Sequence, residues 1–472
     1  MRTHAAPYKL EGDVLHVAIA DPSDLQLIDD LRAMSPFRVE FGVAAADDID
    51  FQLRQIARGN EVHERAEFLD ELPTEEDELE ADDGISDAPP IRLVNSIVLQ
   101  AAEEGASDIH FLPQGDTLLA RIRVDGILTE VERMPKRLAP GVITRIKVLA
   151  KLDIAEHRIP QDGRLTLRLK TGRVLDVRVA ILPTVEGEGV IMRLLDKSRA
   201  APTLTEIGLS KDMQMVLEDV IHRPTGCFLV AGPTGSGKTT TLYAALSDVV
   251  KPEINVISVE DPVEYRIADV YQVQVNARHG VTFASGLRSI LRSDPDVLMV
   301  GEIRDLETAK ISLEAAMTGH SVFSTLHAND APGALTRLTD LGLEPRMLGS
   351  AITAILAQRL VRQLCPECRD PYQLSAADLQ QLGFSEEAIV AGVTLYRKGG
   401  CVRCSQGYRG RLGIFQLMVM GDELRRLAGK RAGSEELTRA ARAAGMVTLW
   451  EDGLSKAAAG LTTIEELSRV VR

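Results

Sequence analysis

The stretch Cys227-Phe228-Leu229-Val230-Ala231-Gly232-Pro233-Thr234-Gly235-Ser236-Gly237-Lys238-Thr239-Thr240-Thr241-Leu242 joins an apolar run, a glycine-rich turn and a helix-compatible segment without a break. Gly232 to Thr239 fit the pattern G-x-x-x-x-G-K-[ST] at every fixed position. The order of strand, turn and helix has a chemical purpose. Glycines let backbone N–H groups close around phosphate oxygens, and the N-terminus of the following helix adds favourable partial charge. Gly232, Pro233, Thr234, Gly235, Ser236, Gly237, Lys238, Thr239 and Thr240 are therefore the expected nucleotide-binding segment. Lys238 is expected to reach the β- and γ-phosphates of ATP, and the Thr239 hydroxyl to ligate Mg²⁺. The same segment decides the fold. Strands and helices alternate from Thr205 to about Arg362, which predicts a mostly parallel sheet covered on both faces.

Three further strands of this region run into reactive side chains. Ile254 to Val259 leads to Glu260, Val297 to Gly301 leads to Glu302, and Ser321 to Leu326 is followed by His327. Ligands in open α/β sheets sit beyond the carboxyl ends of the strands, so Glu260, Glu302 and His327 are expected to converge on Lys238 and Thr239. Hydrolysis needs one group to orient water and another to hold Mg²⁺, and two carboxylates with an imidazole supply both. His320, which precedes the last of these strands, is read equally as a structural or a phosphate-sensing residue.

Of five cysteines, four form C-x-x-C pairs, Cys365/Cys368 and Cys401/Cys404. Four thiolates suit a tetrahedral Zn²⁺ site, with redox dithiols as the alternative. Cys227, in an apolar strand, reads as a small buried hydrophobe. The 472-residue chain is too long for one core. It has no apolar stretch long enough to span a bilayer, and Met1-Arg2-Thr3-His4-Ala5 opens no secretory leader. A cytoplasmic protein that meets membranes only through a partner is expected. The net charge of −15 opposes direct nucleic-acid binding, which needs a basic groove. Part of that charge is local, with eleven acidic residues against Arg65 alone between Glu64 and Asp83. Such a block reads as a solvated linker in which Phe68, Leu69 and Leu72 could form a short helix. Before it, residues 8–58 read as a β-α-β-α unit, its second helix marked by Ile49, Leu53 and Ile56.

The phosphate loop, Val259-Glu260-Asp261-Pro262-Val263-Glu264-Tyr265, Arg292-Ser293-Asp294-Pro295-Asp296-Val297 through Gly301-Glu302-Ile303-Arg304-Asp305, and Thr318-Gly319-His320 through His327-Ala328-Asn329-Asp330 resemble the Walker A, Asp-box, Walker B and His-box motifs of the secretion ATPase superfamily. Upstream the resemblance takes in Ala106-Ser107-Asp108-Ile109-His110, Arg123-Val124-Asp125-Gly126 and Arg158-Ile159-Pro160-Gln161-Asp162-Gly163-Arg164. Downstream it includes Ala357-Gln358-Arg359-Leu360 and the cysteine pairs, so it covers roughly residues 89 to 472.

That resemblance implies a homo-hexameric ATPase of type II secretion or type IV pilus assembly, acting on an inner-membrane platform and a cytoplasmic domain of a membrane partner. It implies Glu260 as water activator, Glu302 as metal-side carboxylate, and an arginine of the domain before the core (Arg164 first, then Arg145, Arg158 and Arg178) approaching the nucleotide. The tetracysteine insert points to assembly and secretion motors rather than retraction motors, and Gln272-Val273-Gln274-Val275-Asn276 leans towards secretion. A nucleotide-binding scaffold without turnover and a nucleic-acid translocase are the readings from other classes. The longer N-terminal region that assembly ATPases often carry is represented by residues 8–58, which look like its second half.

The expected fold is thus multidomain α/β. A RecA-like phosphate-loop core (201–362) follows an α+β, PAS-like domain (89–200). Before that come a small N-terminal α/β partner-docking unit (1–60) and an acidic linker (61–88). Residues 363–472 are expected to form a C-terminal region of helices with the zinc insert.

Overall fold

A computed structural model of the protein describes residues 5–44, 49, 70–71, 89–169, 173–196 and 202–471. Two compact units, Met1–Ser198 and Arg199–Arg472, make up the chain.

The first unit holds two sheets. In the smaller, β1 (Ala5–Glu11) pairs antiparallel with β2 (Val14–Ile19), which pairs parallel with β3 (Arg38–Val43). The helix Leu25–Met34 crosses between β2 and β3, started by Asp24, whose Oδ1 accepts from Leu27 N at 3.0 Å. Strand β1 adds to the expected β-α-β-α order. Of the second helix expected here, Ile49 is buried, and Leu53 and Ile56 lie outside the described residues.

The larger sheet runs in the order β4-β8-β9-β10-β5-β6-β7, all neighbours antiparallel. Its strands are β4 (Asp70–Glu71), β5 (Asp108–Gln114), β6 (Thr117–Val124), β7 (Ile127–Pro135), β8 (Gln161–Arg168), β9 (Val174–Thr184) and β10 (Gly187–Asp196). The acidic segment expected as linker thus contributes two residues to the sheet edge, where Asp70 pairs with Arg168. Asp125 and Gly126, at φ 50° and 84°, form the tight turn between β6 and β7. Alternation along the strands buries Ile109, Phe111, Val177, Val179, Met192 and Leu194 in one core, which also takes in Val94, Val98, Ile143 and Ile146 of the helices Pro89–Glu103 and Ala139–Leu149.

The second unit is built on the sheet β13-β12-β14-β15-β11-β16-β19. Six strands are parallel: β11 (Gly226–Ala231), β12 (Val256–Glu260), β13 (Val270–Gln274), β14 (Val297–Val300), β15 (Ser321–Leu326) and β16 (Ile352–Leu364). Both faces are covered, so the strands read as unbroken apolar runs. Leu229, Val259 and Leu298 enter one core, and Phe228, Val230 and Met299 the other.

The expected division at residue 362 is not a boundary in the structure. Strand β16 continues to Leu364, and β19 (Tyr408–Val419) returns antiparallel beside it as the last strand of the same sheet. Residues 365–407 are an excursion between these two strands, carrying the small pair β17 (Asp370–Tyr372) and β18 (Leu395–Arg397). The helix Leu449–Ala458 then closes the outer edge: Asp452 Oδ2 accepts from Phe415 N at 2.8 Å, and Lys456 donates to Gly413 O at 2.7 Å. Edge N–H and C=O groups that would otherwise invite another strand are satisfied there.

Candidate active site

The site starts where β11 ends. Its last residue, Ala231, is buried, and the chain turns through Gly232–Gly237 into the helix Lys238–Val249. Gly235 and Gly237 sit at φ 76° and 84°, conformations that side chains with a Cβ resist. Gly232 is required by space: a Cβ there would strike Ser236 Oγ and stand 2.8 Å from the Gln358 carbonyl oxygen. Lys238 folds over the loop, its Nζ donating to Gly232 O at 3.0 Å and Pro233 O at 2.9 Å. Burial lowers its pKa, the Glu302 carboxylate opposes that shift, and Arg359 adds to it. Pro233, Thr234, Gly235 and Thr239 are exposed at the mouth of the loop, while Thr240 is half-buried in the first helical turn.

Glu302 follows β14 and Gly301. Its Oε2 lies 3.5 Å from His327 Nε2, and its Oε1 is ion-paired with Arg304. The ends of β14 and β15 are held together below this pair by Thr325 Oγ1 donating to Gly301 O at 2.8 Å and Ile303 N donating to Thr325 O at 3.0 Å. Lys238, Glu302 and His327 therefore come together as expected from strand order.

Glu260 is bonded to other partners. Strand alternation turns its side chain to the face that carries Ser258, under the helix that follows the phosphate loop. There the buried carboxylate accepts from Tyr243 Oη, from Ser258 Oγ at 2.6 Å and from Gln272 Nε2 at 3.0 Å. Burial, with the Glu260 charge beside it, pushes the Tyr243 phenol upward, so Tyr243 remains a donor. Three protein donors on a carboxylate that can accept about four bonds make Glu260 a brace between strand and helix, with room for one more donor such as a water. His320 precedes β15 at the end of the strands away from the loop, and its Nδ1 lies 3.0 Å from Ala315 O at the end of the helix Leu306–Met317.

In the first unit the sheet register reveals a feature that single-residue reading missed. Arg164, Arg178, Arg193, Asp108 and Arg123 are direct cross-strand partners in one row over five strands, on the face away from the core. Arg164 makes a two-pronged bond to Asp176 (2.6 and 2.5 Å), and Asp108 takes Arg193 at 3.1 Å and Arg123 at 3.5 Å. Arg164, Arg178 and Arg193 line a cleft of about 510 Å³. Like charges placed directly opposite are unfavourable unless an anion lies near them. Arg158 is off this row, exposed and paired with Glu156, and Arg145 lies on the helix Ala139–Leu149. Period-two alternation through β6, β8, β9 and β10 was the signal that would have gathered Arg123 and Arg193 with Arg164.

The cysteines converge as expected. Cys365 directly follows β16, and all four Sγ atoms lie within 4.8 Å of one another. Cys365–Cys401, Cys368–Cys404 and Cys401–Cys404 are 3.8, 3.7 and 3.6 Å apart. Zn–S bonds of about 2.3 Å around a tetrahedron put sulfurs about 3.8 Å apart, so the donor set fits Zn²⁺. Bound there, zinc would supply a structural cross-link and no open position for chemistry. Cys227 is apart and buried, which pushes its thiol up to about 12.

The family described as Type II/IV secretion system protein matches residues 83–469. The chain belongs to that family. It is an ATP-hydrolysing member, using ATP with Mg²⁺. Residues 1–63 match the MshEN domain. Type II secretion system protein E of Pseudomonas aeruginosa is 49% identical over 408 residues, covering 86% of this chain and 80% of that protein. The type IV pilus assembly ATPase PilB of Myxococcus xanthus is 41% identical over 478 residues, covering 98% and 83%. Among solved structures, the pilus retraction motor PilT with bound ADP aligns with TM-score 0.51 at 25% identity, covering 79% of this chain and 95% of PilT. The Legionella pneumophila ATPase DotB shares the fold, with TM-score 0.58 at 20% identity over 85% of this chain and 99% of DotB. Among the described residues of this secretion ATPase, no helix is long and apolar enough to cross a membrane.

Proposed function

We propose that this protein is the motor ATPase of a type II secretion system, a homo-hexamer that drives assembly of a pilus-like fibre by acting on an inner-membrane platform. Its N-terminal unit docks on the cytoplasmic domain of a membrane partner, so the motor is cytoplasmic and peripheral to the membrane. The level of identity to type II secretion ATPases and the tetracysteine cluster support this reading over retraction.

Gly232 to Thr240 would hold the triphosphate, with Lys238 on the β- and γ-phosphates and Thr239 on Mg²⁺. The observation that carries the chemical assignment is the Glu302 carboxylate, within reach of His327 and electrostatically coupled to Lys238. Mg²⁺ would neutralise charge on the phosphates. Glu302 would hold the metal's water shell or orient the attacking water, and His327 would hold Glu302 and the γ-phosphate in register. Arg164, with Arg178 and Arg193, offers the further cations that phosphoryl transfer uses.

Lys238→Ala should lower Mg²⁺-dependent ATP turnover by at least about 100-fold, because the transferred phosphoryl loses its fixed cation. The same variant should leave an exporting strain unable to release its secreted enzymes while its pili still extend. Full turnover in the purified variant would sink the site assignment. Lost piliation with intact secretion would move the protein to pilus assembly.

A further inference from the structure

Two adjacent residues of β16 grip the two loops that flank the proposed reaction site. Gln358 is buried, and its Nε2 donates to Ser236 O, 2.6 Å away in the phosphate loop. Its neighbour Arg359 points to the other side of the strand, as alternation requires. From there Nη2 donates to Asn329 O at 2.9 Å and Asn329 Oδ1 at 3.2 Å, and Nη1 reaches Gln358 O at 3.3 Å. Asn329 stands two residues after His327. The next residue, Asp330, caps the helix Ala331–Asp340 by accepting from Gly333 N at 2.6 Å, and its charge faces Arg359. One end of the Gln358–Arg359 pair is thus fixed to the loop that presents Lys238. The other is fixed to the segment that presents His327.

Nothing in the motif reading gave Arg359 a task, yet a flexible lysine could not replace it. A guanidinium is a planar fork whose donors address separate acceptors at once, and it stays charged when half-buried. We propose that Arg359 is a positioning residue for ATP hydrolysis: by fastening the Asn329 segment to the strand that braces the phosphate loop, it sets His327 and Glu302 against the transferred phosphate. This rests on the site assignment given above.

The test uses full-length, zinc-loaded protein, with steady-state turnover of MgATP and the affinity of a fluorescent ADP analogue measured in parallel. Arg359→Gln should lower kcat by about 10- to 100-fold, the loss expected from misplacing a catalytic group by about an ångström. KM and ADP affinity should stay within about threefold, since the phosphate loop keeps its Gln358 brace. Arg359→Lys should recover little of the loss. Arg359→Gln combined with His327→Ala should fall no further than the deeper single variant, because both act through one group.

The proposal is overturned if Arg359→Gln keeps wild-type kcat, if Arg359→Lys restores it fully, if the double variant is additive, or if ADP affinity falls in step with kcat. Should Arg359→Gln fail to fold, Asn329→Ala removes one of the three acceptors, and an unchanged kcat there overturns the proposal as well. Lys238→Ala separates the two levels. If it is inactive while Arg359→Gln is fully active, only the role of Arg359 is wrong; if it is active, the site itself is wrong.

Discussion

Glu260 ends the parallel strand β12 and Glu302 stands two residues beyond β14 of the same sheet, and their surroundings differ. Glu260 accepts from Tyr243, Ser258 and Gln272 in the interior, whereas Glu302 is ion-paired with Arg304, lies 3.5 Å from His327 and acts electrostatically on Lys238 at the loop mouth. Glu302→Gln should therefore cut turnover by about 100-fold or more at unchanged melting temperature. Glu260→Gln places an amide N–H₂ among three donors. It should cost about 1–3 kcal/mol of stability, seen as a drop of several degrees in Tm, with a smaller loss of turnover. Parallel calorimetry and ATPase assays of the two variants decide it. A silent Glu302→Gln beside an inactive but thermally normal Glu260→Gln would reverse the roles. Strand order sufficed to read the convergence of Lys238, Glu302 and His327 from the chain. The bracing contacts of Glu260 were not legible, because they depend on the helix carrying Tyr243 lying over that face, a tertiary fact with no local signature.

At the scale of elements, β19 was the main strand hidden from sequence. Arg409-Gly410-Arg411-Leu412-Gly413 has the look of a turn, and its partner β16 lies beyond the whole cysteine excursion. Gly413 is there for close approach, since a Cβ would meet the Phe415 ring and stand 3.0 Å from Ile207 O. Strand β1 was obscured by Pro7, which is tolerated because β1 is an edge strand with an irregularity between Pro7 and Lys9. The C-x-x-C pairs were legible as a four-thiolate set from their spacing, and their convergence in space favours a metal over separate redox dithiols. One zinc per chain is expected from elemental analysis, and Cys401→Ser should speed proteolysis between residues 366 and 406. Because zinc-site free energy is local folding free energy, nucleotide affinity should stay within about threefold in that variant. Metal-free protein with intact thiols, or nucleotide affinity lost along with the zinc, would contradict this.

At the scale of the whole molecule, the arginines of the first unit are proposed as further cations for phosphoryl transfer. Arg164 is the foremost candidate, and the row it shares with Arg178 and Arg193 concentrates positive charge on one sheet face. An arginine supplied to a phosphoryl transition state is worth about 10³–10⁵ in rate. If it comes from a neighbouring subunit, mixing Arg164→Ala with Lys238→Ala protein should restore part of the turnover that each lacks alone. Mixed oligomers that form and stay inactive would exclude delivery between subunits.

The excursion between β16 and β19 leaves and rejoins the core sheet at a single neck, where Cys365 N donates to Gly407 O at 2.9 Å and the four thiolates meet. Closing a loop costs entropy that grows only with the logarithm of its length, about 0.6 kcal/mol per doubling. A metal clasp at the neck separates even that small cost from the sheet. The tip around residues 376–391 is also seated on the sheet: Leu379 is buried with Val361 of β16, Ile414 of β19 and Leu454, and Trp450 Nε1 donates to Leu382 O at 2.7 Å. The insert is thus moored twice, by a metal clasp at its root and by an apolar seat at its tip, so only the outward surface between those moorings is free to change.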